Sequence, residues 1–490
     1  MMKLKFILLT SLLSFACSCF KSAEKNKAET LSSVSLKTIS KKALESSSFA
    51  MNNERQEKWW KIFNNEELNA LMEKAIKNSP SLKLAEAKIV TAQASAKSIR
   101  SKLFPNLSAS ATDNWVYLSR YGFDRDFFPL GDGDNLIPAK LNETDLSLNF
   151  NYEFDFWGKN RKMLKNALGI AIAEQMEKYQ AELVLCEAVA YSYFEWQEHS
   201  AEKAIYEKWL EAQESLCHFF SSRYEKGLDN TLLPLEQNQA LGALKQKILE
   251  LENKKEVDLF FLKNLIGEGP DSPLSLHIRP EILLQKIEIP NPLGIDLLAQ
   301  RPDLMAQIWR VSAAGDAIGV AKTEFYPNVN LAAFAGLSSL TFNHLFNWAS
   351  RTGALNPAIN LPLFTGGALT ANLNRKISLF NEAVHSYNEQ LLKAAEQVAQ
   401  EITTFISLED QIAIQQSLVD FQKKSYAVST LRYKNGVDDY KNTLKSSLIL
   451  FSQEAALIQL KHAQILSTLR IIQSLGGGMK PKQLPPSVNP

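Results

Sequence analysis

The chain has 490 residues, is 45% hydrophobic and 22% charged, and carries a net charge of +1. That apolar content excludes a disordered chain, and the balanced charge removes any electrostatic case for nucleic-acid binding. Only four cysteines occur, too few for a disulfide-stapled scaffold.

At the N-terminus, Lys3 and Lys5 precede an apolar run, Phe6 to Ala16, that ends at Cys17. The run is too short to span a bilayer as a helix and reads as a secretory signal, residues 1–16. A small residue just before a cysteine is what a lipoprotein signal needs, and Phe15-Ala16-Cys17 fits, with acylation expected on Cys17. Ala16-Cys17-Ser18-Cys19 offers Cys19 as the alternative acceptor, and an ordinary signal with bystander cysteines is the other reading. Residues 17–54 then read as an acylated N-terminus and Ser/Lys-rich tether. The two remaining cysteines, Cys186 and Cys217, fall on one predicted helix about 46 Å apart, so they do not bridge each other.

A helix is expected from Pro80 to Leu103, opened by Pro80 and stopped by Pro105. Leu107 to Leu118 then alternates, with Leu107, Ala109, Ala111, Trp115 and Tyr117 on one side. Thr144 to Phe156 alternates more cleanly. Leu146, Leu148, Phe150, Tyr152, Phe154 and Phe156 share one face, and Asn149, Asn151, Glu153 and Asp155 the other. Apolar out and polar in at period two is the signature of a membrane strand around a wet lumen; a half-buried soluble strand has the same period. Between these strands, Ser119 to Glu143 forms a loop. Its Gly131-Asp132-Gly133-Asp134 lacks the full ligand pattern of a Ca²⁺ site and reads as a turn. Trp115, Tyr117 and Trp157 suit aromatic belts, Trp157 equally well simple packing. Lys159 to Lys226 holds no proline and spans about 100 Å if helical. A turn at Gly227 to Thr231 leads into a returning helix that ends near Ile266.

The same plan then recurs. Pro80 to Asn106 lies over Pro302 to Asn328 at an offset of 222, and Glu187 to Gly267 over Glu396 to Gly476 at 209. In the second block Arg223-Tyr224, Gly227 and Asp229 meet Arg432-Tyr433, Gly436 and Asp438. This duplication replaces the several unrelated domains that the length alone suggests. Helices are expected at Pro302 to Phe325, Ala368 to Asn435 and Tyr440 to Leu475, with strands at Val329 to Leu340 and Ala354 to Phe364. The repeats span 55–267, with a β-hairpin at about 107–156, and 302–478, with one at about 329–364. Residues 268–301 link them, and 479–490 form a Pro-rich tail. In each copy the two shorter helices, end to end, nearly match the long one, so they can run antiparallel beside it. The fold class is mainly α with a small β part: duplicated long antiparallel coiled-coil helices plus β-hairpins. Four strands cannot close a barrel alone, so several chains must share one.

Leu298-Ala299-Gln300-Arg301-Pro302-Asp303-Leu304, Ile318-Gly319-Val320-Ala321-Lys322 and Phe325-Tyr326-Pro327 resemble the TolC-type outer-membrane efflux channels. The likeness is to their lipoprotein branch, the outer-membrane factors of resistance-nodulation-division pumps. Trp59-Trp60, Trp157-Gly158, Pro362 to Gly367, Arg432-Tyr433 with Gly436-Val437-Asp438, and Leu475 to Gly478 carry the likeness over residues 55–478. The resemblance implies a homotrimeric α-helical tunnel with a shared 12-stranded barrel in bacterial outer-membrane lipid, reaching into the periplasm. It implies a periplasmic adaptor and an inner-membrane pump as partners, passive conduction of drugs or other small solutes, and no catalytic chemistry. A same-fold channel for protein secretion through an ABC-type exporter, and a pore-less lipid-anchored coiled-coil scaffold, are the alternatives.

The resemblance also implies a gate at the periplasmic turns. An aspartate that forms an acidic ring in the family corresponds to Lys445, whose repeat partner is Glu236, so alternating ion pairs are expected at the mouth, or side chains that face solvent or neighbouring helices. Tyr433 corresponds to a gate tyrosine, or packs between the helices. Asp438 and Asp439 are expected to cap the last helix, and Gly227 and Gly436 to end the long helices in the left-handed region and meet the adaptor. The six histidines show no metal-ligand spacing, Gly476-Gly477-Gly478 lacks a phosphate loop's Lys-Ser/Thr, and no nucleophile elbow occurs. No metal or other cofactor is expected beyond the covalent lipid.

Overall fold

The computed structural model describes residues 27–31, 36, 38–39, 41, 49–51, 58–117, 140–278, 287–289 and 301–477. The signal peptide, Cys17, Cys19, the Gly131 to Asp134 turn and the Pro-rich tail lie outside them.

The helices are α1 (Glu66–Asn78), α2 (Pro80–Ser101), α3 (Lys159–Glu225), α4 (Leu232–Leu265), α5 (Pro302–Thr323), α6 (Ala368–Lys434) and α7 (Tyr440–Ser474). The main sheet is formed by β1 (Asn106–Tyr117), β2 (Lys140–Phe154), β3 (Asn328–Ser339) and β4 (Arg351–Asn360). α3 and α6 each have 67 residues, about 100 Å of helix. No described helix is long and apolar enough to cross a membrane. Phe49–Met51 also pairs in parallel with Ile287–Ile289, within the segment that joins the repeats.

The chain packs as two compact units that cut across the duplication. One is built mainly from Val90–Ile172 and Trp309–His385, the other from Thr30–Ile89, Ala173–Ile308 and the segment from Ser386 onward. Each draws on both copies.

The first unit holds the sheet, antiparallel throughout in the order β1-β2-β3-β4. Its register places Leu107, Phe150, Ala333 and Leu355 in one row, and Ala109, Leu148, Ala335 and Gly353 in the next on the same face. Residues directly opposite share a face, so the apolar alternation of all four strands falls on one side. The other face carries Ser110, Ser147 and Asn149, joined by hydrogen bonds of 2.9–3.2 Å. β2 and β4 differ in their bounds from the sequence reading, and β2 already starts at Lys140, inside the loop expected at Ser119 to Glu143. β2 ends at Phe154 because the Asp155 carboxylate turns to accept the backbone N–H groups of Asn160 and Arg161 (3.1 and 3.0 Å), capping α3. β4 starts at Arg351 and stops at Asn360, just ahead of Pro362, which has no N–H for a ladder. Trp157 is fixed by packing: it stacks on Tyr326 (4.8 Å) and donates to the Pro327 carbonyl (2.8 Å).

The second unit has a core of Trp59, Trp60 and Phe63 against Leu68, Leu71, Met72 and Ala75 of α1, with Leu183, Val189 and Phe194 of α3 and Leu469 of α7. Helix α1 had no counterpart in the sequence reading. Its signal is Asn65, whose side chain accepts the Leu68 N–H as an N-cap (3.1 Å). Antiparallel packing is written into paired bonds. Gln213 on α3 donates to the Gln237 carbonyl and Oε1 on α4 (3.2 and 3.0 Å). At the repeat-equivalent positions, Gln422 on α6 donates to the Ser446 carbonyl and Oγ on α7 (2.9 and 3.1 Å). End-to-end stacking of the short helices is also present. Gly267, after α4, lies against Asn78 ahead of α2, and Gly476, after α7, lies against Arg301 and Pro302 ahead of α5. At the second joint the buried Arg301 guanidinium donates to the Ser474 carbonyl (3.0 Å) and to both carboxylate oxygens of Asp303 (3.1 and 2.9 Å). The Arg301-Pro302-Asp303-Leu304 signature is thus a helix-to-helix coupling.

Candidate functional site

The two helix turns of the second unit are built alike. At Gly227 (φ 70°) and Gly436 (φ 71°) the chain enters the left-handed region that favours glycine. The Gly227 N–H donates to the Tyr224 carbonyl (2.8 Å) and the Leu228 N–H to Arg223 (2.9 Å); Gly436 and Val437 repeat this with Tyr433 and Arg432 (both 2.9 Å). This paired closure is a Schellman motif. An arginine–aspartate clasp spans each turn: Arg223 Nε to Asp229 Oδ2 at 2.6 Å, and Arg432 Nε to Asp438 Oδ2 at 3.2 Å.

That clasp corrects the expected capping. Asp439 occupies the N-cap position of α7, but its side chain caps nothing. The Asp438 carboxylate instead takes the Asn442 amide (2.6 Å), the Asp439 N–H (2.9 Å) and Arg432. These donors, Asn442 first, hold its pKa below the usual value. Tyr433 is half exposed and lies against Tyr440 across its turn, ring centroids 4.9 Å apart, so its contact within the chain is packing.

Glu236 and Lys445 are both exposed, and within the chain they form no ion pair with each other. The turns of the two copies do meet, since Leu216 and Phe220 of α3 pack on Leu444 of α7, with Leu233 of α4 against the same cluster. The Asp439 charge further favours the charged form of Arg223, after the larger effect of Asp229. The site is therefore an exposed end of four helices with two charged clasps, and Glu236 and Lys445 exposed at equivalent repeat positions. It holds donors and acceptors but no nucleophile–base pair.

Two features escaped the sequence reading. Gln213 and Gln422 are identical at the 209 offset, and the same superposition that yields the arginine–aspartate pairs reveals them. The histidines, scattered in sequence, are not all scattered in space. His199 and His462 both lie beside Glu195, at 3.7 and 3.9 Å. Only the i, i+3, i+4 spacing of Glu195, Glu198 and His199 on one helix face hinted at this.

An amphipathic antiparallel sheet joined to paired helices of this length defines an outer-membrane channel protein. The outer membrane efflux protein family model matches residues 71–268 and 293–477, and the chain belongs to that family. Multidrug resistance outer membrane protein MdtP of Escherichia coli K12 is similar, with 28% identity over 426 residues, 86% of each chain. The putative multidrug resistance outer membrane protein MdtQ of the same strain is 26% identical, over 86% of this chain and 88% of its own. Among solved structures, the outer membrane protein VceC of Vibrio cholerae superposes with a TM-score of 0.75 at 28% identity, over 86% of this chain and 99% of VceC. The outer-membrane channel OprN, at 22% identity, shares the fold with a TM-score of 0.80, over 92% of this chain and 98% of its own. The chain is an outer-membrane efflux channel.

Proposed function

We propose that three copies of this chain assemble into one duct. β4 of each pairs with β1 of the next to close a 12-stranded barrel from three four-stranded sheets. The observation that carries this is the sheet. The apolar residues of all four strands fall on one face, and the outer edges of β1 and β4 have no strand partner among the described residues. An open edge beside a lipid-facing surface leaves backbone groups unsatisfied in hydrocarbon, and closure satisfies them. An inner-membrane pump, coupled through a periplasmic adaptor that meets the turns at Gly227 and Gly436, delivers drugs or other small solutes. The multidrug-resistance names of the relatives support that substrate class. Three Glu236 and three Lys445 side chains alternate at the mouth as an ion-paired latch, and a lipid on Cys17 anchors the chain.

Negative-stain electron microscopy of the detergent-solubilised mature protein tests the assembly. Threefold particles with a detergent belt above a helical rod about 100 Å long are expected. Monomers or filaments without a belt would overturn it.

A further inference from the structure

The second unit contains a partly buried polar cluster away from the turns. Glu195, Glu198 and His199 sit one helical turn apart on α3, Asp258 faces them from α4, and His462 from α7. Each of the three α3 residues offers a ligand atom within 4.8 Å of the others. His199 Nε2 lies 3.5 Å from Glu198 Oε2 and 3.7 Å from Glu195 Oε2. His462 Nε2 lies 3.9 Å from Glu195 Oε1, is fully buried and has no hydrogen-bond partner.

We propose that Glu195, Glu198, His199 and His462 form a binding site for a divalent transition-metal cation of the zinc type, with Asp258 positioning His199.

Geometry is the first support. Donors around tetrahedral zinc at about 2.0–2.1 Å from the metal lie about 3.4 Å from one another; the three histidine–carboxylate separations here are 3.5, 3.7 and 3.9 Å, and the α3 ligand atoms all lie within 4.8 Å. His199 is already oriented, because its Nδ1–H donates to Asp258 Oδ2 (2.7 Å) and leaves Nε2 facing the glutamates. A carboxylate behind a ligating imidazole is what fixes the ligand tautomer in metal sites. The orphaned Nε2 of His462 supplies a lone pair with no other use. Charge is the second support. Glu195, Glu198, Glu202 and Asp258 gather here, with Lys254 and the protonatable His199 as the cationic groups acting on Glu198. Tyr191 and Gln459 each donate a hydrogen bond into the group, to Glu195 and Glu202. The Glu198 side chain is only 8% exposed and that of His199 12%. A buried excess of carboxylates is costly without a cation. All ligands come from one chain, so the site does not depend on the trimer, and a bound ion would tie α3 of the first copy to α7 of the second.

The test is calorimetric titration of zinc chloride into the chelator-stripped, detergent-purified mature protein. One zinc per chain is expected. His462→Gln should weaken binding at least about tenfold, and Asp258→Asn about 10–100-fold, while His385→Gln leaves it unchanged. X-ray absorption on the zinc-loaded wild type should count two imidazole ligands and needs no variant to fold. Absence of binding, affinity indifferent to His462, or fewer than two imidazoles would overturn the site.

Discussion

At the scale of single residues, the helical interior keeps ionisable groups that an ordinary core excludes. Burial, helped by Glu401 and opposed by Arg470, raises the Glu187 pKa to about 7 from 4.5. A carboxyl with a raised folded pKa binds its proton more tightly folded than unfolded. Its stabilising contribution is complete below about pH 4.5 and is lost as pH rises through 7. Glu187→Gln keeps the neutral shape at every pH. The variant should therefore match wild type in thermal melts at pH 4.5 and exceed it at pH 8. Discounted for partial exposure, the gain is about 1–2 kcal/mol. Equal melting temperatures at pH 8 would show that Glu187 is already solvated or paired. No such role was legible in the sequence, because the desolvation of Glu187 comes from packed neighbours distant along the chain.

Among elements, the helix pairs are held in register by polar clasps as well as by apolar seams. The Gln213 and Gln422 amides each reach a backbone carbonyl on the facing helix, at equivalent points of the two copies. Gln422→Leu deletes both donor bonds and should lower stability by about 1 kcal/mol. Gln213→Leu should cost about as much, although Gln213 is fully buried and Gln422 is not. Denaturant midpoints of the two variants check this, and a loss at one site alone would break the equivalence. The helices and strands themselves were largely readable. Prolines bracket α2 and α5, proline is absent from α3, and period-two alternation marks β1 and β2. What failed to show was short or non-local. α1 has 13 residues and starts from a single asparagine cap. β4 begins at Arg351, three residues earlier than its alternation suggests, because Arg351 packs on the Trp348 ring and donates to the Trp348 carbonyl. The turn glycines were read correctly because the left-handed region leaves few alternatives. The capping role of Asp438 was misread because the arginine that claims it sits six residues back.

For the whole molecule, duplication places a glutamate and a lysine at one repeat position, and the proposed trimer turns that pair into a ring of alternating charge. Among the described residues neither side chain has an ion-pair partner, so the proposed latch forms between neighbouring copies or between the two turns when the mouth narrows. Exposed pairs hold weakly one at a time and are screened by salt, which suits a mouth that must open. Glu236→Lys would leave six lysines there and Lys445→Glu six glutamates, and like charges repel in either ring. Each single reversal should raise conductance in planar bilayers and shift ion selectivity in opposite senses, toward anions for the first and cations for the second. The double exchange restores alternation and should return conductance toward wild type. High salt should raise wild-type conductance by more than bulk conductivity predicts, because screening loosens the ring. If the double variant conducts like the sum of the singles, the two side chains act independently, and the closure must lie in the packing of Leu216, Phe220 and Leu444 instead.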